Sequence, residues 1–500
     1  MSSTTVAAPE NADANANANA SKNNENSRKR PPPEDSDAPS DGNNGADGNS
    51  RGTKWKKTNS KGKGEKGFSK KGAGKWIKDF GHGSRDTRED PPHVGSFANP
   101  AMREQFGVVW DDATDVVEES KTKVEGEEEN KQSAAVPTNK RKVALFLGFL
   151  GTKYGGFQMN PEQRTLQAEV ELALYRAGMI TKSNFGTPHK YSWSNSARTD
   201  KGVHACAQVC SVKLELPETD WENNAPANDR LDGPRKRLEA HLPDDIRVLD
   251  IVRTTRNFCA KTQRERVRYQ YMVPSFLLHP DWKGVMEENG IDTTKGRSDR
   301  KTIDTKKPLT TEEAEKLYAV LREYRSTEES RNLLEAALQK YEGTQFYHNF
   351  TKGLKPGQAQ ARRFIETFRA QDPVVVDGVE WIPTQVLGQS FLLHQIRKMI
   401  CVAIDIARGA APLEFMDKAL DKKGSIALHV APAQGLFLEM SYFGGYNRRK
   451  GTQNNHSLLD IDWTKDGPAK KRWSAFRDTV RSHICQEDKS QLNFVQFLFL

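Results

Sequence analysis

The sequence has no uninterrupted apolar run of about 18 residues, which excludes a membrane-spanning helix. Its five cysteines in 500 residues are an odd number without C-x-x-C spacing. That argues against a disulfide scaffold and a structural zinc ribbon, and it implies a reducing compartment. Residues 1–20 lack a basic stretch followed by an apolar one, so no secretory signal is expected. No G-x-G-x-x-G follows a strand-like run, which removes the nucleotide loop that a methyltransferase would need. Apolar residues are also scarce, at 35% against about 45–50% in a typical globular chain. Part of the chain therefore cannot fold, leaving room for one sizeable core or two small ones.

Charge is abundant and unevenly placed, with 76 Lys and Arg against 67 Asp and Glu. The arm from Arg51 to Lys78 has eleven basic residues against a single Glu, interleaved with Gly and with Trp55, Phe68 and Trp76. Flexible basic chain with spaced aromatics suits phosphate contact and base stacking, although a plain solvated tail has the same composition. The acidic stretch 111–130 is placed to shield that arm. Residues 1–139 as a whole read as disordered: an Asn-Ala repeat, Pro31-Pro32-Pro33, the basic arm and the acidic linker.

Structure is expected from about residue 140. Val143 to Phe149 is an apolar run of strand length, and Leu166, Val170, Ala173, Leu174 and Ala177 form a helical stripe that Thr165 can cap. Cys210 to Leu216 alternate as a half-buried strand, and Ile246–Val252 and Val267–Val273 continue the pattern. Thr310-x-x-Glu313 is a capping box. Strand-like runs follow at Phe364–Ala370, Val374–Trp381 and Gln385–Ser390, then a helix from Phe391 to Arg408 and a last strand at Leu436–Tyr442. Strands following strands favour α+β with antiparallel or mixed sheets. The chain thus divides into 140–275 and 311–445, two α/β halves, with an insertion at 276–310 and an extension at 446–500. The polar stretches 217–235 and 281–309 read as surface insertions.

The most informative stretch is Ser196-Ala197-Arg198-Thr199-Asp200-Lys201-Gly202-Val203-His204-Ala205, a carboxylate in a Gly-containing turn before a strand. On its own Asp-Lys-Gly describes an ordinary turn. The decamer as a whole resembles the signature of the tRNA pseudouridine synthases of the TruA type, G/A-R-T-D-x-G-V-H-A. Further segments match in the same order: Gly151 to Gln158, Arg164 to Gln167, His241 to Ile246, Phe258 to Ala260, Arg268 to Tyr271, Phe391 to Met399 and Ala431 to Leu436. Phe346 to Lys352 is similar to the eukaryotic nuclear branch. The resemblance covers about residues 140–445.

This resemblance implies two subdomains around a central catalytic cleft and an isomerase that converts uridine in tRNA to pseudouridine. The reaction breaks the N1–C1′ bond, turns the base and joins C5 to C1′. Nothing is oxidised and no group is lost, so no cofactor is called for. The resemblance assigns the enzymic carboxylate to Asp200, acting on the sugar or on the base. It gives Arg397 the part of charge partner to Asp200 and Tyr269 that of stacking on uracil. Arg198 would fill the space the base leaves, and Leu436 would pack beneath it. Tyr271, on the same strand face as Tyr269, reads as core, and Lys398 as surface.

His204 and His394 have no His or Cys companion at i+3 or i+4, and Cys206 and Cys210 read as core, so no metal is expected. The expected partners are tRNA, with small nuclear RNA and messenger RNA as further substrates, and no membrane. A monomer is expected, because the insertions and the extension would block a dimer surface. Arg28-Lys29-Arg30-Pro31 and Lys470-Lys471-Arg472 are basic clusters of the nuclear-import kind. The alternative function is a catalytically silent RNA-binding protein on the same scaffold. The intact set of Arg198, Asp200, Tyr269 and Arg397 argues against it, since binding alone needs no carboxylate.

Overall fold

The computed structural model describes residues 91–110, 137–222, 231–292, 309–452, 460–462 and 466–499, all within one unit, Asp86–Leu500. The basic arm, the acidic linker and Arg28–Pro31 lie outside the described residues.

Among the described residues, ten strands form one mixed sheet. They are β1 (Thr138–Phe149), β2 (Ser194–Asn195), β3 (His204–Pro217), β4 (Ile246–Arg253), β5 (Arg266–Pro274), β6 (Gly343–Phe346), β7 (Arg362–Ala370), β8 (Val374–Val376), β9 (Val379–Gly388) and β10 (Leu436–Tyr442). The order is β4-β1-β3-β10-β5-β9-β7-β6, with β2 on β3 and β8 on β9. The helices that frame the sheet are α1 (Pro100–Phe106), α2 (Leu166–Arg176), α3 (Thr311–Leu321), α4 (Glu328–Gln339), α5 (Gln395–Ala407), α6 (Pro468–Gln491) and α7 (Asn493–Leu498). This is the α+β class expected from the alternation of patterns. Among the described residues, no helix is long and apolar enough to cross a membrane.

The two halves meet in the middle of the sheet. β10 runs parallel to β3 through His204–Phe437 and Ala205–Leu438, and antiparallel to β5. β5, counted with the first half in the sequence, therefore sits among the later strands, between β10 and β9. The capping box at Thr310 forms, with Thr310 Oγ1 accepting from Glu313 N and the Glu313 carboxylate accepting from Thr310 N. Thr165 stands at the start of α2 as expected, but its side chain makes no capping bond.

Several expectations are corrected. Val374–Trp381 is not one strand: Asp377 and Gly378, both at positive φ, make the tight turn between β8 and β9. Asp-Gly is the pair that takes these angles at least cost in a two-residue hairpin. β9 then runs unbroken across the predicted gap to Gly388.

Residues 91–110 are ordered rather than part of a disordered tail. Phe97 and Met102 are buried against Ala168 and Leu172 of α2, and Trp110 stacks on Tyr175 and Phe185. A few apolar anchors in a polar neighbourhood escape any average of composition.

The region after Gly445 is likewise not a loose extension. Trp473, Phe476, Val480 and Ile484 form a helical stripe on α6 and are buried. Phe494 of α7 packs edge-on against Tyr271 and Trp381. Of the predicted insertions, residues 223–230 and 293–308 lie outside the described residues, while Trp221 and Met286 at their margins are buried.

Candidate active site

Asp200 is held by a turn that ends where β3 begins. Val203 N donates to the Asp200 carbonyl at 3.1 Å, and Gly202 takes φ +77, which a residue with a Cβ avoids. Ahead of the turn, Ser196 N donates to Val209 O, and Gln208 Nε2 donates to Ala197 O at 2.6 Å. These bonds fasten the start of the loop to β3, so the Asp200 carboxylate is displayed from a rigid edge.

It faces a cleft of about 890 Å³ over the junction of β3, β10 and β5. Arg198, Asp200, Tyr269, Phe391, His394 and Leu436 line that cleft. Tyr269, on β5, is buried and meets Phe391 edge-on, ring centres 5.5 Å apart. Burial pushes its phenol up to about 12. Leu436 opens β10 and is buried at the cleft wall. Arg198 is exposed at the cleft, and Lys201 is exposed on the turn. Lys261 and Arg264 add positive charge to the lining, which suits a polyanionic ligand.

Arg397 stands behind the cleft rather than in its lining. Its side chain is buried in α5, and Nε donates to Ala431 O at 2.6 Å. Its charge reaches Asp200: burial pushes the Asp200 carboxyl above the usual carboxylate range, and His394 and Arg397 both pull it back. The His394 imidazole, charged only when protonated, has Nε2 4.0 Å from Asp200 Oδ2, whose side chain is 32% exposed. From the sequence alone, His394 reads only as a candidate metal ligand. Its place three residues before Arg397 was the available signal.

The helix carrying Arg397 starts at Gln395, four residues later than expected. Phe391 to His394 form a loop into the cleft, ended by His394 at φ +61. The Gln395 side chain accepts from Leu392 N at 2.8 Å, and Thr351 Oγ1 donates to Leu393 O at 2.9 Å. Lys398 is not a surface residue: it is half-buried and donates to the carbonyls of Asn349 and Thr351. Tyr271 is core, as expected, and donates to Pro432 O at 2.9 Å.

A second knot lies behind the loop. His204 is fully buried; its Nδ1 accepts from Gly151 N at 3.0 Å and its Nε2 donates to Gln434 O at 3.2 Å. Burial pushes this imidazole down to about 4, so it stays neutral. α6 brings His483 and Glu487 to it, so that among the described residues these three offer ligand atoms within 4.8 Å of one another. Thr152 Oγ1 donates to Glu487 at 2.9 Å and sits 3.0 Å from His483 Nε2. Both nitrogens of His204 are engaged with backbone, so the cluster works as a hydrogen-bonded clasp joining Gly151, β3, the entry to β10 and α6.

A family model described as tRNA pseudouridine synthase matches residues 337–443. The chain is 31% identical to tRNA pseudouridine synthase 1 of Yarrowia lipolytica, over 72% of this chain and 73% of that protein. It is 30% identical to the tRNA pseudouridine(27/28) synthase of Saccharomyces cerevisiae, over 71% of this chain and 97% of the relative. It is 29% identical to the Pseudouridylate synthase 1 homolog of Mus musculus, over 82% and 85% of the two chains.

Proposed function

The chain belongs to the tRNA pseudouridine synthase family, and from that premise we propose that it isomerises uridines of tRNA to pseudouridine through a step at Asp200. The observation that carries the reading is the Asp200 carboxylate at the cleft, with Tyr269 and Leu436 on the walls and Arg397 supplying charge. A base inside a folded RNA has to leave its stack to reach such a carboxylate. Arg198, exposed beside Asp200, is placed to take the vacated position. Tyr269 and Leu436 bracket the uracil after the N1–C1′ bond breaks, so the base turns without escaping.

The buried surroundings of Asp200 favour the neutral acid, and the Arg397 cation favours the ionised form that the chemistry requires. Lys261 and Arg264 at the cleft wall give phosphate contacts.

Small nuclear and messenger RNAs fit the same chemistry wherever a uridine can be flipped. A monomer is favoured because α6 and α7 already cover sheet surface with the chain's own side chains. Nuclear location rests on Arg28-Lys29-Arg30-Pro31. The second basic cluster is engaged in α6, where Lys470 pairs with Asp466 and Arg472 Nε donates to Leu249 O.

The test is Asp200→Asn, which keeps shape while removing the nucleophile. Pseudouridine formation in tRNA should vanish while tRNA binding survives. Appreciable product from the pure variant, or none from the parent protein, sinks the reading.

A further inference from the structure

We propose that His394 is a second catalytic residue, the base that takes the proton leaving C5 of uracil as pseudouridine forms. The proposal rests on the isomerase reading above. When the N1–C1′ bond breaks, its electron pair stays with the base. When C5 joins C1′, C5 carries the new bond and still carries its hydrogen. The C5–H pair must return to the ring to restore the C5=C6 double bond, and the proton must go to an acceptor. N1 takes up a proton in turn, so protons balance and no co-reactant is needed.

Covalent geometry limits where that acceptor can be. C5 ends one C–C bond, about 1.5 Å, from C1′, and both belong to the nucleoside on which Asp200 acts. The hydrogen is therefore released beside the Asp200 carboxylate, and His394 Nε2 is 4.0 Å from Asp200 Oδ2 in the lining of the same cleft. The other titratable groups of the lining suit the task less well. Arg198, Lys261 and Arg264 carry hydrogen-bond donors and no acceptor. Tyr269 keeps its proton, since burial pushes its phenol up to about 12. Imidazole is the side chain whose ordinary titration falls near neutrality, where a general base is most effective.

The backbone carries an independent sign. His394 has φ +61, a left-handed conformation that costs an L residue free energy and persists only where its surroundings impose it. Here they do: Thr351 and Gln395 hold the loop on either side, and Lys398 anchors the Asn349–Thr351 segment beneath it. A helix begun at Phe391 would relieve the strain and leave the imidazole on a helix face. The observed turn presents it to the cleft.

His394→Asn tests this, because Asn accepts the left-handed conformation. Three single-turnover measurements are made at saturating enzyme, on tRNA carrying uridine, 5-deuterouridine or 5-fluorouridine. On uridine the variant should be about 10²- to 10⁴-fold slower than the parent, with a primary deuterium effect at C5 that exceeds the parent's. On 5-fluorouridine there is no C5–H to remove, so rearrangement should proceed at the parent's rate. A His394→Gly variant should regain part of its rate on uridine when imidazole is added. Equal slowing on uridine and 5-fluorouridine without an isotope effect would mean that His394 acts only through Asp200, and the proposal falls. An unchanged rate on uridine would hand the proton to Asp200 itself, and it falls again. A parent protein inactive on uridine tRNA defeats the isomerase reading instead, which keeps the two failures apart.

Discussion

Gly151 tests how tightly the catalytic loop is held. A Cβ built there would lie 2.2 Å from the Val203 carbonyl oxygen and 2.6 Å from its carbon, where ordinary contact begins at 3.4 Å, so about 1.2 Å of movement is required. The collision is with backbone, so no rotamer change relieves it. On the other side, Gly151 N is bound to His204 Nδ1, which ties the same segment to β3 and, through Gln434, to the entry of β10. Gly151→Ala therefore pushes the turn that ends at Val203, and Asp200 is the first residue of that turn. Overpacking of this kind costs about 1–3 kcal/mol of stability. A displacement near 1 Å at the reacting groups costs on the order of 10²-fold in rate, about 2.7 kcal/mol of activation free energy. The assay is single-turnover pseudouridine formation at saturating enzyme, paired with denaturant unfolding. The control is Gly233→Ala, where an added Cβ meets nothing within 4 Å. A Gly151→Ala protein that folds with the parent's stability and reacts within twofold of its rate would refute the argument that this contact positions Asp200.

Arg397→Met should shift the acid limb of the pH–rate profile upward as well as lower the rate. Burial raises the Asp200 carboxyl, and Arg397 opposes that rise; an unmoved acid limb would show that Arg397 does not hold the carboxylate ionised. Burial also pushes the Glu171 carboxyl up to about 7. The folded chain therefore keeps a proton there that the unfolded chain, at about 4.3, has released. Its contribution to stability is full below that ordinary value and is lost as pH rises through about 7. Glu171→Gln should thus flatten the fall in melting temperature between pH 5 and 8, and an identical slope would count against the shift. Phe494→Ala should lower unfolding free energy by about 3–5 kcal/mol, because the ring is buried against Tyr271 and Trp381; a loss under 1 kcal/mol in denaturant titration would show that α7 is dispensable. Deleting residues 1–90, which spares the docked segment from residue 91, should reduce the slope of log affinity against log salt. Three lost phosphate contacts amount to about two to three units, with single-turnover rate unchanged. An unaltered slope would remove the Arg51–Lys78 arm as an RNA-binding element.

Local patterns were legible from the chain alone. Period-2 alternation marked β3, and the run Leu436–Tyr442 marked β10. The capping box marked the start of α3. These signals depend on neighbours a few residues away, so the sequence carries them in full. The Asp200 turn was likewise legible as a motif. What the sequence did not disclose depends on pairings between distant segments. Nothing near residue 269 states that β5 joins β10 and β9, yet that register sets Tyr269 opposite Leu438 and next to the cleft. Nothing near residue 487 states that α6 returns to the first residue of β3. A left-handed residue at position 394 has no local signature either, because surrounding contacts from Thr351 and Lys398 impose it. Residue types, turn chemistry and periodicity were therefore determined locally. The meeting of Asp200, His394, Arg397 and Tyr269 was decided only when the sheet order closed, because burying two apolar halves against a shared β3–β10 seam brings loops from distant parts of the chain to one edge.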